Sequence, residues 1–161
     1  MYSKETQIRV ISKRLFVGKS VNMSLLNNKT GVLWSLFGPL IYSIPNRIGS
    51  DRFSLQVYDT TYFERFDPEK EFKKWALVEV SSLEVIPNQL ESFVLPEGKY
   101  AVFTYRGLSS DTSVYQYIFS KWLMNSDWIL DDRPHFEVLG SKYKNDSVDS
   151  EEDIWIPIKK K

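Results

Sequence analysis

The chain of 161 residues contains no cysteine. Disulfides, thiolate metal sites and a cysteine nucleophile are thereby excluded, and the composition fits a reducing cytosol, so a cytoplasmic location is expected. Histidine is nearly absent too, His135 being the single one. One imidazole without thiolates leaves no ligand set for a dedicated zinc or transition-metal site, and no spacing in the chain points to a serine triad built on it. His135 reads as a strand residue adjoining a polar turn. No phosphate-binding loop or dinucleotide glycine fingerprint occurs, and no cofactor is expected. Charge of one sign is also missing: 21 Lys and Arg balance 21 Asp and Glu. Without a basic field, and with no spare length at either end for a helix-turn-helix, direct nucleic-acid binding is not expected.

Long apolar runs are lacking. The longest, from Val32 to Ile44, is broken by Ser35, Gly38, Pro39 and Ser43. It is too short for a bilayer and reads as a buried helix, so no membrane partner is expected. Met1–Glu5 lead into no apolar signal core. The acidic run Asp149, Glu151, Glu152, Asp153 lacks the glycine and ligand rhythm of a calcium loop and reads as a solvated turn.

What the chain has is rings. Five Trp, nine Tyr and ten Phe make up 15% of it, which suits either a core of large side chains or an aromatic-lined cavity. Ile8, Val10, Leu15, Val17 and Val21 are spaced for strands, with a bend or bulge at Ser12-Lys13-Arg14. Asn27–Thr30 offers a helix start, and Trp34, Phe37 and Ile41 follow at helical spacing, with Pro39 placed to kink the helix. Phe53, Leu55 and Val57 alternate with Ser54, Gln56 and Tyr58, the pattern of a half-buried strand, and Trp75–Val80 gives another. The pattern then restarts. Leu90–Leu95 and Tyr100–Tyr105 are extended, and Tyr115, Ile118, Phe119, Trp122 and Leu123 share one helical face. A strand follows at His135–Leu139, and a last one at Ile154–Ile158, whose Pro157 suggests an edge or terminal position.

The order strand, helix, strand, strand thus occurs twice. The expected fold is a single α+β domain of two fused repeats, about residues 6–86 and 89–159, related by a pseudo-twofold and leaving a cleft at their junction. Within the second repeat, alternation puts His135, Glu137 and Leu139 on one face of a strand and Phe136 and Val138 on the other. Glu137 is then either on an exposed sheet surface or in a cavity, where a buried carboxylate needs a partner, a proton or a cationic ligand. Trp155 faces away from Ile154, Ile156 and Ile158, which suit the core, and so belongs to a cleft or to a surface.

Pro96–Phe103, Gly107, Trp122-Leu123, Phe136-Glu137 and Ile154–Ile158, in that order, resemble the GyrI-like small-molecule-binding domain, and Trp34 together with Ile44–Gly49 extends the resemblance over nearly the whole chain. That family includes effector-binding domains of multidrug-sensing transcription regulators and free-standing gyrase-inhibitor-like proteins. The resemblance implies paired strand-helix-strand-strand units around a ligand cleft, with Glu137 facing the ligand. It also implies an aromatic beside the ligand in the last strand, here Trp155, where many relatives carry Tyr. Tyr115, Phe119, Trp122 and Trp34 are further candidates for the ligand wall. The expected partner is an aromatic or lipophilic, often cationic, small molecule, anchored by Glu137 and by ring faces. Some free-standing members are similar to hydrolases that open electrophilic cyclopropanes in genotoxic natural products, and there Glu137 would be the general base. A third reading is a protective protein that acts on a macromolecule such as gyrase through an exposed surface.

Overall fold

A two-residue link sets the shape of the sheet. In the computed structural model, which describes residues 6–161, the strands β1 (Gln7–Ile11), β2 (Arg14–Met23), β3 (Arg52–Val57), β4 (Phe72–Val80), β5 (Glu91–Leu95), β6 (Gly98–Arg106), β8 (His135–Leu139) and β9 (Glu151–Lys160) run β1-β6-β9-β8-β3-β4-β2-β5 across one antiparallel sheet, and β7 (Trp128–Leu130) pairs with β9. β5 and β6 lie near opposite ends of that order, yet only Pro96 and Glu97 separate them. So short a link spans only a few ångströms per residue. The sheet therefore curls until its ends meet. The sequence reading of Met1–Glu5 falls outside the described residues.

Curling turns one face of the sheet inward on itself. Phe16, Phe53, Leu55, Trp75, Leu77, Leu95, Tyr100, Val102, Phe136 and Trp155 form one buried cluster there, drawn from seven strands. Gly18 lets β2 serve both neighbours, β4 and β5. A Cβ at Gly18 would lie 1.8 Å from the Ala76 carbonyl oxygen, so any side chain would force the strands apart.

The helices lie on the other face. Thr30–Phe37 forms α1, and Pro39 falls in the 3-10 turn Gly38–Ser43 that follows it, so the proline ends the α-helix as its missing N–H dictates. Leu33, Phe37 and Ile41 pack on Val17, Ala76, Val78 and Val80 of β2 and β4. The second helical segment runs as α2 (Ser113–Tyr117), a π-turn (Ile118–Trp122) and α3 (Leu123–Asn125). Its Val114 and Ile118 pack on Ala101, Phe103, Ile154, Ile156 and Ile158 of β6 and β9. Among the described residues no helix is long and apolar enough to cross a membrane.

Two sequence expectations are corrected. β9 is not an edge strand: it pairs with β6 on one side and with β8 and β7 on the other. Pro157 is tolerated because β8 pairing reaches only Trp155 and β7 pairing begins at Ile158. The Pro157 carbonyl accepts a bond from the Asp131 N–H at 3.0 Å on that side, so the missing N–H falls in the gap between two partners. The strand β3 is not half-buried either, since Ser54 and Gln56 are buried along with Phe53 and Leu55. What covers those polar side chains is the candidate site.

Candidate functional site

One helical segment covers β2 and β4 and the other covers β6 and β9, which leaves the helix face of the central strands β3 and β8 without a helix. Polar side chains gather there. Gln56 pairs across the sheet with His135 on one side and Lys74 on the other, and Ser54 pairs with Glu137. Directly opposed residues share a face. Ser54, Gln56, Lys74 and His135 are all buried.

Glu137 is held by two neutral donors. The Tyr115 hydroxyl donates to Oε1 at 2.8 Å, and Gln56 Nε2 donates to Oε2 at 3.0 Å. Tyr115 comes from α2 and Gln56 from β3, so the carboxylate ties the second helical segment to the centre of the sheet. Burial pushes the Tyr115 phenol well above its usual range, with the Glu137 charge adding to the effect. Tyr58 is raised well above by the same two causes in the same order. Both phenols therefore stay protonated, and the Tyr115 hydroxyl is a donor to Glu137.

Aromatic side chains from the β3–β4 connection close the site. Phe63 stacks on His135 at 5.2 Å and lies 5.4 Å from Phe119, centroid to centroid. Tyr58 meets His135 edge-on at 4.9 Å and lies tilted against Tyr62 at 4.4 Å. Under these rings the His135 imidazole is held neutral, its pKa lowered to about 3 chiefly by burial and then by the Arg133 charge.

A cavity of about 30 Å³ remains beside Glu137, lined among others by Gln56, Tyr58, Tyr115, Phe119 and His135. That is room for about one water, against at least ~300 Å³ for a typical small-molecule pocket. The open central cleft expected from the sequence is thus filled in this conformation. Its filling comes from the chain's own loop, with Tyr58 lining the cavity and Phe63 capping His135 and Phe119 from outside.

Two more charges stand on the same face of the sheet, outside the lining of the cavity. Lys74 lies within the field of Glu137 and Glu152; burial lowers its pKa, and both carboxylates oppose that. Glu152 is raised to about 7, mainly by burial, then by Glu137, with Lys74 pulling the other way. The acidic run is therefore not a solvated turn: Glu151, Glu152 and Asp153 open β9, and Glu152 shares the face of Ile154 and Ile156.

Of the sequence candidates, Glu137, Tyr115 and Phe119 meet at one cavity, and Trp155 adds to its floor. The indole of Trp155 packs in the curled-sheet core on the far face, stacked on Phe136 at 5.2 Å, with its buried N–H unpartnered. Trp122 packs edge-on against Phe103 at 5.1 Å, and Trp34 against Phe37 at 5.8 Å, and neither lines the cavity. Sequence reasoning passed over Gln56, Tyr58, Phe63 and Lys74, and it read His135 only as a strand residue and Glu152 as part of a solvated turn. The available signal was a polar residue inside each apolar strand pattern, as Lys74 is between Phe72 and Ala76.

The fold has counterparts among solved structures. The structure is similar to EcmrR in a complex with DNA, with a TM-score of 0.74 and 12% identity over 99% of this chain and 58% of that one, so the chain spans little more than half of EcmrR. It is similar to the integron cassette protein VCH_CASS2 from the mobile metagenome of Vibrio cholerae, with a TM-score of 0.63 and 15% identity over 97% of each chain. It is also similar to SAV2435 bound to tetraphenylphosphonium, with a TM-score of 0.66 and 15% identity over 96% of this chain and 94% of that one. At such identities the likeness establishes the fold. No curated protein matches in sequence. The family model of the integron-associated effector binding protein matches residues 12–158. With its α+β fold, its polar site between two helical segments and that match along nearly its whole length, the chain belongs to the Cass2 family of integron-associated effector binding proteins, a small-molecule-binding group of GyrI-like fold.

Proposed function

We propose that the chain captures an aromatic or lipophilic small molecule bearing a cationic group, over β3 and β8, with Glu137 as the acidic anchor. The two halves, about 6–86 and 89–159, are read as repeats that meet at the β3–β8 pair. The observation that carries this reading is a carboxylate held by Tyr115 and Gln56 beneath a layer of aromatic rings. Neutral donors fix the carboxylate without cancelling its charge, so a cation gains both a counter-charge and ring faces. Tetraphenylphosphonium in SAV2435 supports this ligand class. Entry requires the β3–β4 connection to move, because about 30 Å³ holds no such ligand. A thermal-shift screen with tetraphenylphosphonium and other aromatic cations tests the reading. A rise in Tm that grows with concentration is expected, and no shift with any of them contradicts it.

A second reading uses the same residue. A cavity of one-water size beside Glu137 suits a carboxylate that takes a proton from water as the water oxygen bonds to an electrophilic cyclopropane carbon, the strained C–C bond breaking and the released carbon then taking up the proton. Mass analysis after incubation separates the two: an adduct of one water marks turnover, and unchanged ligand marks a binding protein.

A further inference from the structure

Lys74 is the charge in the site that the reading above leaves without a task. It stands on β4, one strand from Gln56 and two from His135, on the face shared with Glu137. Only 6% of it is exposed. Five ion pairs occur among the described residues, and Lys74 is in none of them. Nor does its ammonium donate any of the side-chain hydrogen bonds found around Glu137, which come from Tyr115 and Gln56. An ammonium carries three donors, and the Lys74 Nζ is not among the buried polar atoms without a partner, so those donors keep access to solvent. The charges of Glu137 and Glu152 act on it at a distance, and among the described residues no side chain around Glu137 takes its donors, which are left to solvent or to a ligand.

The site is therefore bipolar. Its acidic side is built by Glu137 on β8 and Glu152 on β9, and its basic side by Lys74 on β4, with Gln56 between them. A bare aromatic cation satisfies the acidic side and is repelled by Lys74. In a site screened from water, both effects are stronger than on a surface. A ligand with a cationic group and a carboxylate on one aromatic body satisfies both sides. It also spends the donors that the protein leaves open.

We infer that Lys74 sets the ligand's charge pattern: the pocket takes aromatic zwitterions in preference to aromatic monocations of the same shape, the Lys74 ammonium receiving the carboxylate and Glu137 facing the cationic end. This rests on the pocket reading above, and it names a specificity-determining residue that discriminates by repulsion as well as attraction.

Rhodamine B, a zwitterion at neutral pH, and its ethyl ester, a monocation with the same ring system, test it by fluorescence anisotropy on the full chain. The wild type is expected to bind rhodamine B roughly tenfold more tightly than the ester, and Lys74→Met and Lys74→Gln to lose or reverse that preference. An ester that binds the wild type as tightly as rhodamine B overturns the inference, as do variants that keep the wild-type ratio. If circular dichroism finds both variants unfolded, the wild-type ratio decides alone. Failure of either dye and of tetraphenylphosphonium to bind the wild type removes the pocket reading and this inference together. Binding of the cations without preference for the zwitterion removes this inference only.

Discussion

Phe63 lies flat on His135, the ring centroids 5.2 Å apart and the planes 17° from parallel. His135 belongs to β8 at the centre of the sheet, and Phe63 to the connection between β3 and β4. The stack joins a rigid element to an irregular one directly over the site. Phe63 keeps 43% of its surface exposed, so it closes the cavity without being locked into a core. Phe63→Ala is expected to speed association of an aromatic dye severalfold while costing no more than about 1–2 kcal/mol of stability. Stopped-flow fluorescence checks the rate, and an unchanged association rate contradicts the gating role.

The bond from Tyr115 to Glu137 gives a second prediction. Tyr115→Phe removes one of the two side-chain donors to a part-buried carboxylate and unties α2 from β8. A loss of about 1–3 kcal/mol is expected, the usual range for a hydrogen bond to a charged group. Urea unfolding measures it. In a double-mutant cycle with Glu137→Gln the two losses should fall short of adding, since both remove one interaction.

The pH dependence of stability follows from two groups with opposite signs. Glu152 rises from 4.5 to about 7 on folding. The folded chain keeps a proton that the unfolded chain has released, so this contribution is full below pH 4.5 and is lost as pH climbs to about 7. His135 falls from 6.5 to about 3. There the unfolded chain binds the proton, so that contribution is full above pH 6.5 and is lost as pH drops toward 3. Glu152→Gln is therefore expected to gain roughly 1–3 kcal/mol over the wild type at pH 8, with the gain vanishing at acid pH. Urea titrations at several pH values check the window, and a gain that does not vary with pH contradicts the assignment.

The tryptophans separate packing from binding. Trp155 stacks on Phe136 and meets Tyr100 edge-on inside the curled sheet. Trp155→Ala is expected to cost about 3–5 kcal/mol. Trp34 is only partly buried against the α1 cluster, so Trp34→Ala should cost clearly less and leave ligand affinity unchanged. Thermal unfolding and dye binding on the same two variants check both statements.

Periodicity carried the sequence reading a long way. α1, the second helical segment and strands β3, β4, β8 and β9 were all legible, because each repeats apolar residues at its own period over several positions. Glu137 was legible as a carboxylate inside an apolar strand. The three-residue strand β7 was too short to show a pattern. The interior place of β9 was hidden because Pro157 signals an edge locally, and only the handover from β8 to β7 makes it harmless. Lys74, His135 and Glu152 were read past for a common reason. Each is buried by residues far away in the chain: Lys74 and Glu152 share a field across three strand pairings, and His135 lies under Phe63, 72 positions earlier. Local pattern reports which face a residue takes, and it does not report what later folds over that face.

On this reading Glu137 anchors a small aromatic ligand over β3 and β8. Calorimetric titration of tetraphenylphosphonium into the wild type and into Glu137→Gln tests it most directly. Saturable one-site binding by the wild type is expected, weakened roughly tenfold or more in the variant by the loss of one part-buried charge. Equal affinity in the two proteins, or no binding by the wild type, would contradict it.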